Sequence, residues 1–132
     1  MLKARTLTVQ IARPVKVVYA YLVDPANLAG WTMVENGRPQ SEAGPLVWSF
    51  EGPRGPVMVH FTPANPFFVM DYTVYASGQL THSAHVRLVP NGAGTVLTHT
   101  SVQQPMISDE AFASEEEWLL SDLLVLKSLL EA

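Results

Sequence analysis

One long helical segment at the end of the chain has to cover nearly everything that precedes it. Residues 108 to 130 read as that helix, with Leu119, Leu123, Leu126 and Leu130 recurring as a broad apolar stripe flanked by Trp118 and Leu129. Ser108 is placed to cap its start. Glu115, Glu116 and Glu117 lie toward the beginning and Lys127 toward the end, the orientation that suits the helix dipole. Ahead of it, Gly, Pro and Asn punctuate short β-forming runs near 33–38, 45–51, 56–62, 66–76, 79–89 and 93–103. An alternating run over 4–12 predicts a further strand. Pro14 then opens a helix through Val15, Val18, Tyr19 and Leu22, and Asp24-Pro25 ends it and starts a short second one reaching Trp31. One helix against this many strands needs a bent sheet. The expected class is α+β, a curved antiparallel sheet of about seven strands around a long C-terminal helix, with two short helices after the first strand.

Composition narrows what such a chain can do. At 132 residues, with 48% apolar and 15% charged side chains, it predicts a single folded domain spanning 1–132. The net charge is −4 and the eight Lys and Arg are scattered singly, so no basic surface for nucleic acid is expected. There is no cysteine, which excludes disulfides and thiolate chemistry. The stretch WLLSDLLVLKSLL is interrupted by Asp122 and Lys127 and is too short for membrane insertion. The opening MLKARTLTVQIARP lacks the apolar run of a signal peptide, so a cytoplasmic location is expected. No phosphate-binding glycine loop, nucleotide fingerprint or nucleophilic-serine motif occurs. Kinase, dehydrogenase and hydrolase chemistry therefore find no support, and no cofactor is expected.

The segments VQIARPVKVVYAYLVDPANLAGW and LKSLLE, with the strand run between them and the overall length, resemble the START-like superfamily. That superfamily is the helix-grip group that includes Bet v 1-like and polyketide cyclase/dehydratase-like proteins. The resemblance implies a helix-grip fold and a cavity between sheet and helix. Members bind lipids, hormones and polyketides, and some act on such ligands. No catalytic motif of the cyclase or aromatase members is present, so the resemblance carries over no catalytic residue. Similar small members often place an apolar residue where this final helix has Asp122.

Hairpin chemistry sets a register. Asn91-Gly92 predicts a two-residue turn pairing Pro90 with Ala93, and Ser77-Gly78 one pairing Ala76 with Gln79. Counting outward puts Leu80, His82, Ala84, Val86 and Leu88 on one face with Leu97 and His99. Phe67, Val69, Asp71, Thr73 and Tyr75 join them from the neighbouring strand, and Trp48 and Phe50 join Val57, Val59 and Phe61. This is taken as the concave face. It leaves Phe68, Met70, Tyr72 and Val74 as an apolar stripe outside, to be covered by a homodimer or by the loop 39–45. If a turn slips by one residue, the two stripes exchange roles.

His82 and His85 fall on opposite faces, His60 also points outward, and so no metal site is expected. The inward polar set is Asp71, Thr73, His82 and His99. Either these residues satisfy one another in a packed core, or they orient a ligand's polar atoms, or a histidine moves protons. Asp122 lies on the apolar arc of the last helix, where it meets His82, His99 or Arg38 or stays in water at an open edge. The preferred function is binding of a small apolar or amphipathic molecule. Trp48, Phe50, Phe61, Phe67, Tyr75, Leu97 and Trp118 would serve as walls, and Asp71, Thr73, His82, His99 and Asp122 as polar contacts. The alternatives are a cyclase/dehydratase-like enzyme using a cavity histidine and carboxylate, and a protein-interaction module without a small ligand.

Overall fold

A computed structural model describes residues 1–132. Strand β1 (Ala4–Ile11) leads through Pro14 into helix α1 (Val15–Leu22). A 3-10 turn (Pro25–Asn27) follows, its backbone held where the Ala26 amide donates to Asp24 Oδ1 at 3.1 Å, and helix α2 (Leu28–Trp31) continues from it. The remaining strands are β2 (Glu35–Pro39), β3 (Val47–Gly52), β4 (Gly55–Phe61), β5 (Val69–Ala76), β6 (Gln79–Asn91) and β7 (Gly94–Val102). Helix α3 (Asp109–Glu131) closes the chain; Ser108 caps it by accepting from the Ala111 amide at 3.1 Å. The seven strands form one antiparallel sheet in the order β1-β7-β6-β5-β4-β3-β2. The helix-grip architecture expected from the sequence is the one observed.

Helix α3 runs alongside β1 and is tied to that strand at both ends. Near its start, Lys3 pairs with Asp109 at 3.0 Å, and Arg5 donates to the Phe112 carbonyl and to Glu115. At its end, Arg13 donates to the Leu130 carbonyl, the Ala12 amide to Glu131, and Lys127 to the Gln10 carbonyl. The two halves of the helix pack differently. Leu123, Leu126 and Leu130 join the main core with Val9, Ile11, Val18, Leu22, Val86 and Leu97. The first half, with Ser114, Glu115, Trp118 and Leu119, stands over a cavity instead.

Two registers differ from the expected ones, with different consequences. The β6–β7 turn is built on Gly92 and Ala93, with Gly92 at φ +58°, so Asn91 pairs with Gly94 and Val86 with His99. This is a shift of two, which keeps every side chain on its face. The β5–β6 hairpin begins as expected, Ala76 opposite Gln79, but then carries a bulge: Tyr75 pairs with Leu80 and Val74 with His82, leaving Thr81 as the extra residue. Beyond that point β5 is turned over. Met70, Tyr72 and Val74 face the core, while Asp71, Thr73 and Tyr75 lie on the outer face. The apolar stripe that called for a homodimer or a covering loop is therefore the inner one, and Phe68 packs against the core with it. Residues 66–68 are not strand at all. Asn65 Oδ1 accepts from the Phe67 and Val69 amides and Phe68 adopts φ +56°, so the chain turns there and Phe67 projects into solvent.

Candidate functional site

A cavity of about 290 Å³ lies between the first half of α3 and the concave face of the sheet. Its walls are largely aliphatic: Val57 and Val59 of β4, Val74 and Ala76 of β5, Leu28 of α2 and Leu119 of α3 all line it. The β3–β4 turn Gly52–Gly55, the connection Thr32–Val34 and the bulge residue Thr81 complete the rim. Arg54 and Trp118 mark the mouth; both are exposed, and the Arg54 guanidinium sits 5.6 Å from the centre of the Trp118 ring. The sheet can hold an open space here because α3 is fastened at its ends and, of its leucine stripe, only Leu123, Leu126 and Leu130 join the main core.

Apart from the rim, the polar side chains lining this cavity are Tyr72, His82, Ser114, Glu115 and Asp122. Tyr72 sits opposite Ala84, which in turn sits opposite Ser101, and these two small residues make room for three rings to converge. The ring centres are 6.1 Å apart for Tyr72 and His82, 6.4 Å for Tyr72 and His99, and 6.0 Å for His82 and His99. His99 lies deepest. Neither of its ring nitrogens has a hydrogen-bond partner in the protein, and burial, reinforced by the nearby His82, lowers its pKa from 6.5 to about 3. It is a neutral core ring at any physiological pH.

His82 turns its Nδ1 toward Glu115, 3.7 Å away, and Glu115 in turn accepts from Arg5 at 3.4 Å. Arg5 also donates to the Ser101 hydroxyl and stacks over Phe112 at 4.0 Å. Its side chain is only 8% exposed, and desolvation lowers its pKa in spite of Glu115. Arg5 and Glu115 thus form a compensated pair behind the cavity wall. Asp122 has no such partner: none of the ion pairs includes it, and it meets neither His82, His99 nor Arg38. Desolvation pushes its carboxyl from 3.8 up to about 6. Burial likewise raises the Tyr72 phenol, with the Asp122 charge adding to it.

Of the side chains expected to face a ligand, His82, Trp118 and Asp122 line the cavity. Trp48, Phe50 and Phe61 are on the concave side but form an aromatic row that ends on Tyr72, with centre-to-centre steps of 6.2, 6.4 and 6.1 Å, and none of the three lines the cavity. Leu97 and His99 are fully buried behind it. Asp71, Thr73 and Tyr75 are corrected to the outer face by the Thr81 bulge, and Phe67 by the turn at Asn65. Asp71 there holds Arg87 at 2.5 Å and His85 at 3.2 Å. Partial burial works against its charge, but these bonds keep its pKa below the usual value. Sequence reasoning passed over Arg5 and Tyr72. Arg5 was readable, since it alternates with Leu7, Val9 and Ile11 on one face of β1. Tyr72 was hidden by the bulge.

Solved structures resemble this chain over almost its full length. An uncharacterised protein from Bacillus thuringiensis superposes with a TM-score of 0.79 at 12% identity, covering 98% of this chain and 100% of that one. The protein XoxI from Bacillus cereus gives 0.78 at 11% identity, covering 98% and 96%. Ara h 8.0201 gives 0.74 at 13% identity, covering 98% of both chains. The fold is a helix grip. At these identities the likeness speaks for the fold alone. No protein-family model matches the sequence, and no curated protein matches it.

Proposed function

We propose that this helix-grip chain binds a small, mainly apolar molecule in the cavity beneath the first half of α3. The observation that carries this reading is the combination of aliphatic walls with a small set of titratable groups, Tyr72, His82, Glu115 and Asp122. At about 290 Å³ the space lies at the small end of the range for ligand sites, which favours a compact guest over a long acyl chain. Membership of the START-like superfamily, whose members bind lipids, hormones and polyketides, is part of the same proposal. Proton-transfer catalysis is the second reading. It is favoured by Asp122, whose carboxyl titrates near 6 at the cavity wall.

Calorimetric titration with phenylbutanol tests the binding reading. Ala76 lines the cavity at the partly exposed end of β5, where a larger side chain projects into the space without displacing the core. Heat of binding in the wild-type protein, lost in Ala76→Trp with the fold retained, is the expected result. Equal binding by both proteins would place the ligand elsewhere. Turnover of a bound carbonyl compound, abolished by Asp122→Asn with binding retained, would move the assignment to catalysis.

A further inference from the structure

The cavity has a sign of charge as well as a shape. Every charged or titratable group that lines it or backs its wall can be accounted for. From β1, Arg5 is engaged by Glu115, Ser101 and the Phe112 carbonyl. From β6, His82 faces Glu115 with its Nδ1, while its buried Nε2 has no partner in the protein. From the β3–β4 turn, Arg54 is exposed at the mouth, where water solvates its charge, and it forms no ion pair with Asp122. From α3, Glu115 is compensated and Asp122 is not. One half-buried carboxylate therefore lines the cavity without a protein cation to answer it. Beside it stands Tyr72, only 4% exposed, which lines the cavity with its ring tilted 37° to that of Phe61.

A carboxylate left this way raises the energy of the empty protein, and the penalty is relieved by a counter-charge brought in from outside. An anionic guest would meet Asp122 with like charge, and a neutral one would leave it unanswered. A protonated amine supplies N–H donors to the carboxylate. The apolar walls then require the rest of the guest to be hydrocarbon. We propose that the ligand is an amphipathic monocation, an alkyl- or arylalkyl-ammonium whose nitrogen pairs with Asp122 and whose body lies against Val57, Val59, Val74 and Leu119. This rests on the binding reading above and assigns its chemical class.

The test is a matched series, phenylbutylamine, phenylbutanol and phenylbutyrate, titrated by calorimetry near neutral pH into the wild-type chain and into Asp122→Asn. The amine is expected to bind about tenfold more tightly than the alcohol, and the carboxylate more weakly than either. Asp122→Asn should abolish the amine's advantage over the alcohol. Asp71→Asn, on the outer face, should alter nothing. A variant-free check follows from titration of Asp122: the amine's advantage over the alcohol should shrink as the pH falls below about 6. Alcohol and amine binding equally to the wild type, or an amine preference that survives in Asp122→Asn, would overturn the assignment but leave the binding site standing. Absence of binding by all three would overturn both.

Discussion

His99 illustrates how a buried ionisable ring can serve packing alone. It pairs across the ladder with Leu7 and Val86, is 0% exposed, and offers both nitrogens to no partner. Its ordinary pKa of 6.5 is lowered to about 3 in the folded chain, so the unfolded state binds more protons between those values. Stability from this group is therefore complete above pH 6.5 and is lost as the pH falls toward 3. His99→Phe keeps an aromatic ring there and removes the titration. The expected outcome is an acid-unfolding midpoint at lower pH, with a gain on the order of a few kcal/mol at low pH and a change within about 1 kcal/mol at neutrality. Circular dichroism across a pH series measures it. Phenylbutanol affinity should stay unchanged, because His99 does not line the cavity. An unchanged acid midpoint would show that the ring accepts a proton in the folded state.

At the scale of elements, one inserted residue decides which face of β5 meets the core. Thr81 is the bulge; its hydroxyl donates to the Val74 carbonyl at 3.2 Å, and the residue itself lines the cavity. Thr81→Ala loses that bond and should cost about 1 kcal/mol in urea denaturation. Deleting Thr81 makes Tyr75–Leu80 and Val74–His82 consecutive pairs of a straight ladder, so Asp71 keeps Arg87 and His85 and Tyr72 stays inward. The deletion should therefore fold, at a cost within about 3 kcal/mol. A deletion that abolishes folding would contradict the role given to the bulge. The same residue marks the limit of legibility. Period-two alternation located the strands, and Asn91-Gly92 kept His82 and His99 on a common face even though the turn sits one residue along and each pairing shifts by two. The Ser77-Gly78 turn was placed correctly as well. Yet β5 carries side chains on both faces that could pass for core, Met70 and Tyr72 on one and Val69 and Tyr75 on the other. Its alternation could not reveal the slip.

For the whole molecule, the architecture follows from element order: one long helix, seven strands, and local signals at Ser108, Pro14 and Asp24 that hold in the structure. The cavity follows from something less visible, the unequal packing of α3. Its stripe of Leu119, Leu123, Leu126 and Leu130 is continuous in sequence, but only the last three belong to the main core. Polar and bulky residues at Glu115, Trp118 and Asp122 keep the first half from closing on the sheet, and Arg5 compensates only the first of these. Asp122 stood out in the sequence as a carboxylate on an apolar arc. Its want of a partner emerges only from three-dimensional placement. The most direct test of a ligand-accepting space under α3 is residue-resolved NMR of the amide groups during titration with phenylbutanol. Saturable shifts should concentrate at Val59, Tyr72, Val74, His82, Leu119 and Asp122, with Asp71, His85 and Arg87 on the outer face unmoved. Shifts confined to the outer face, or none at ligand saturation, would contradict it.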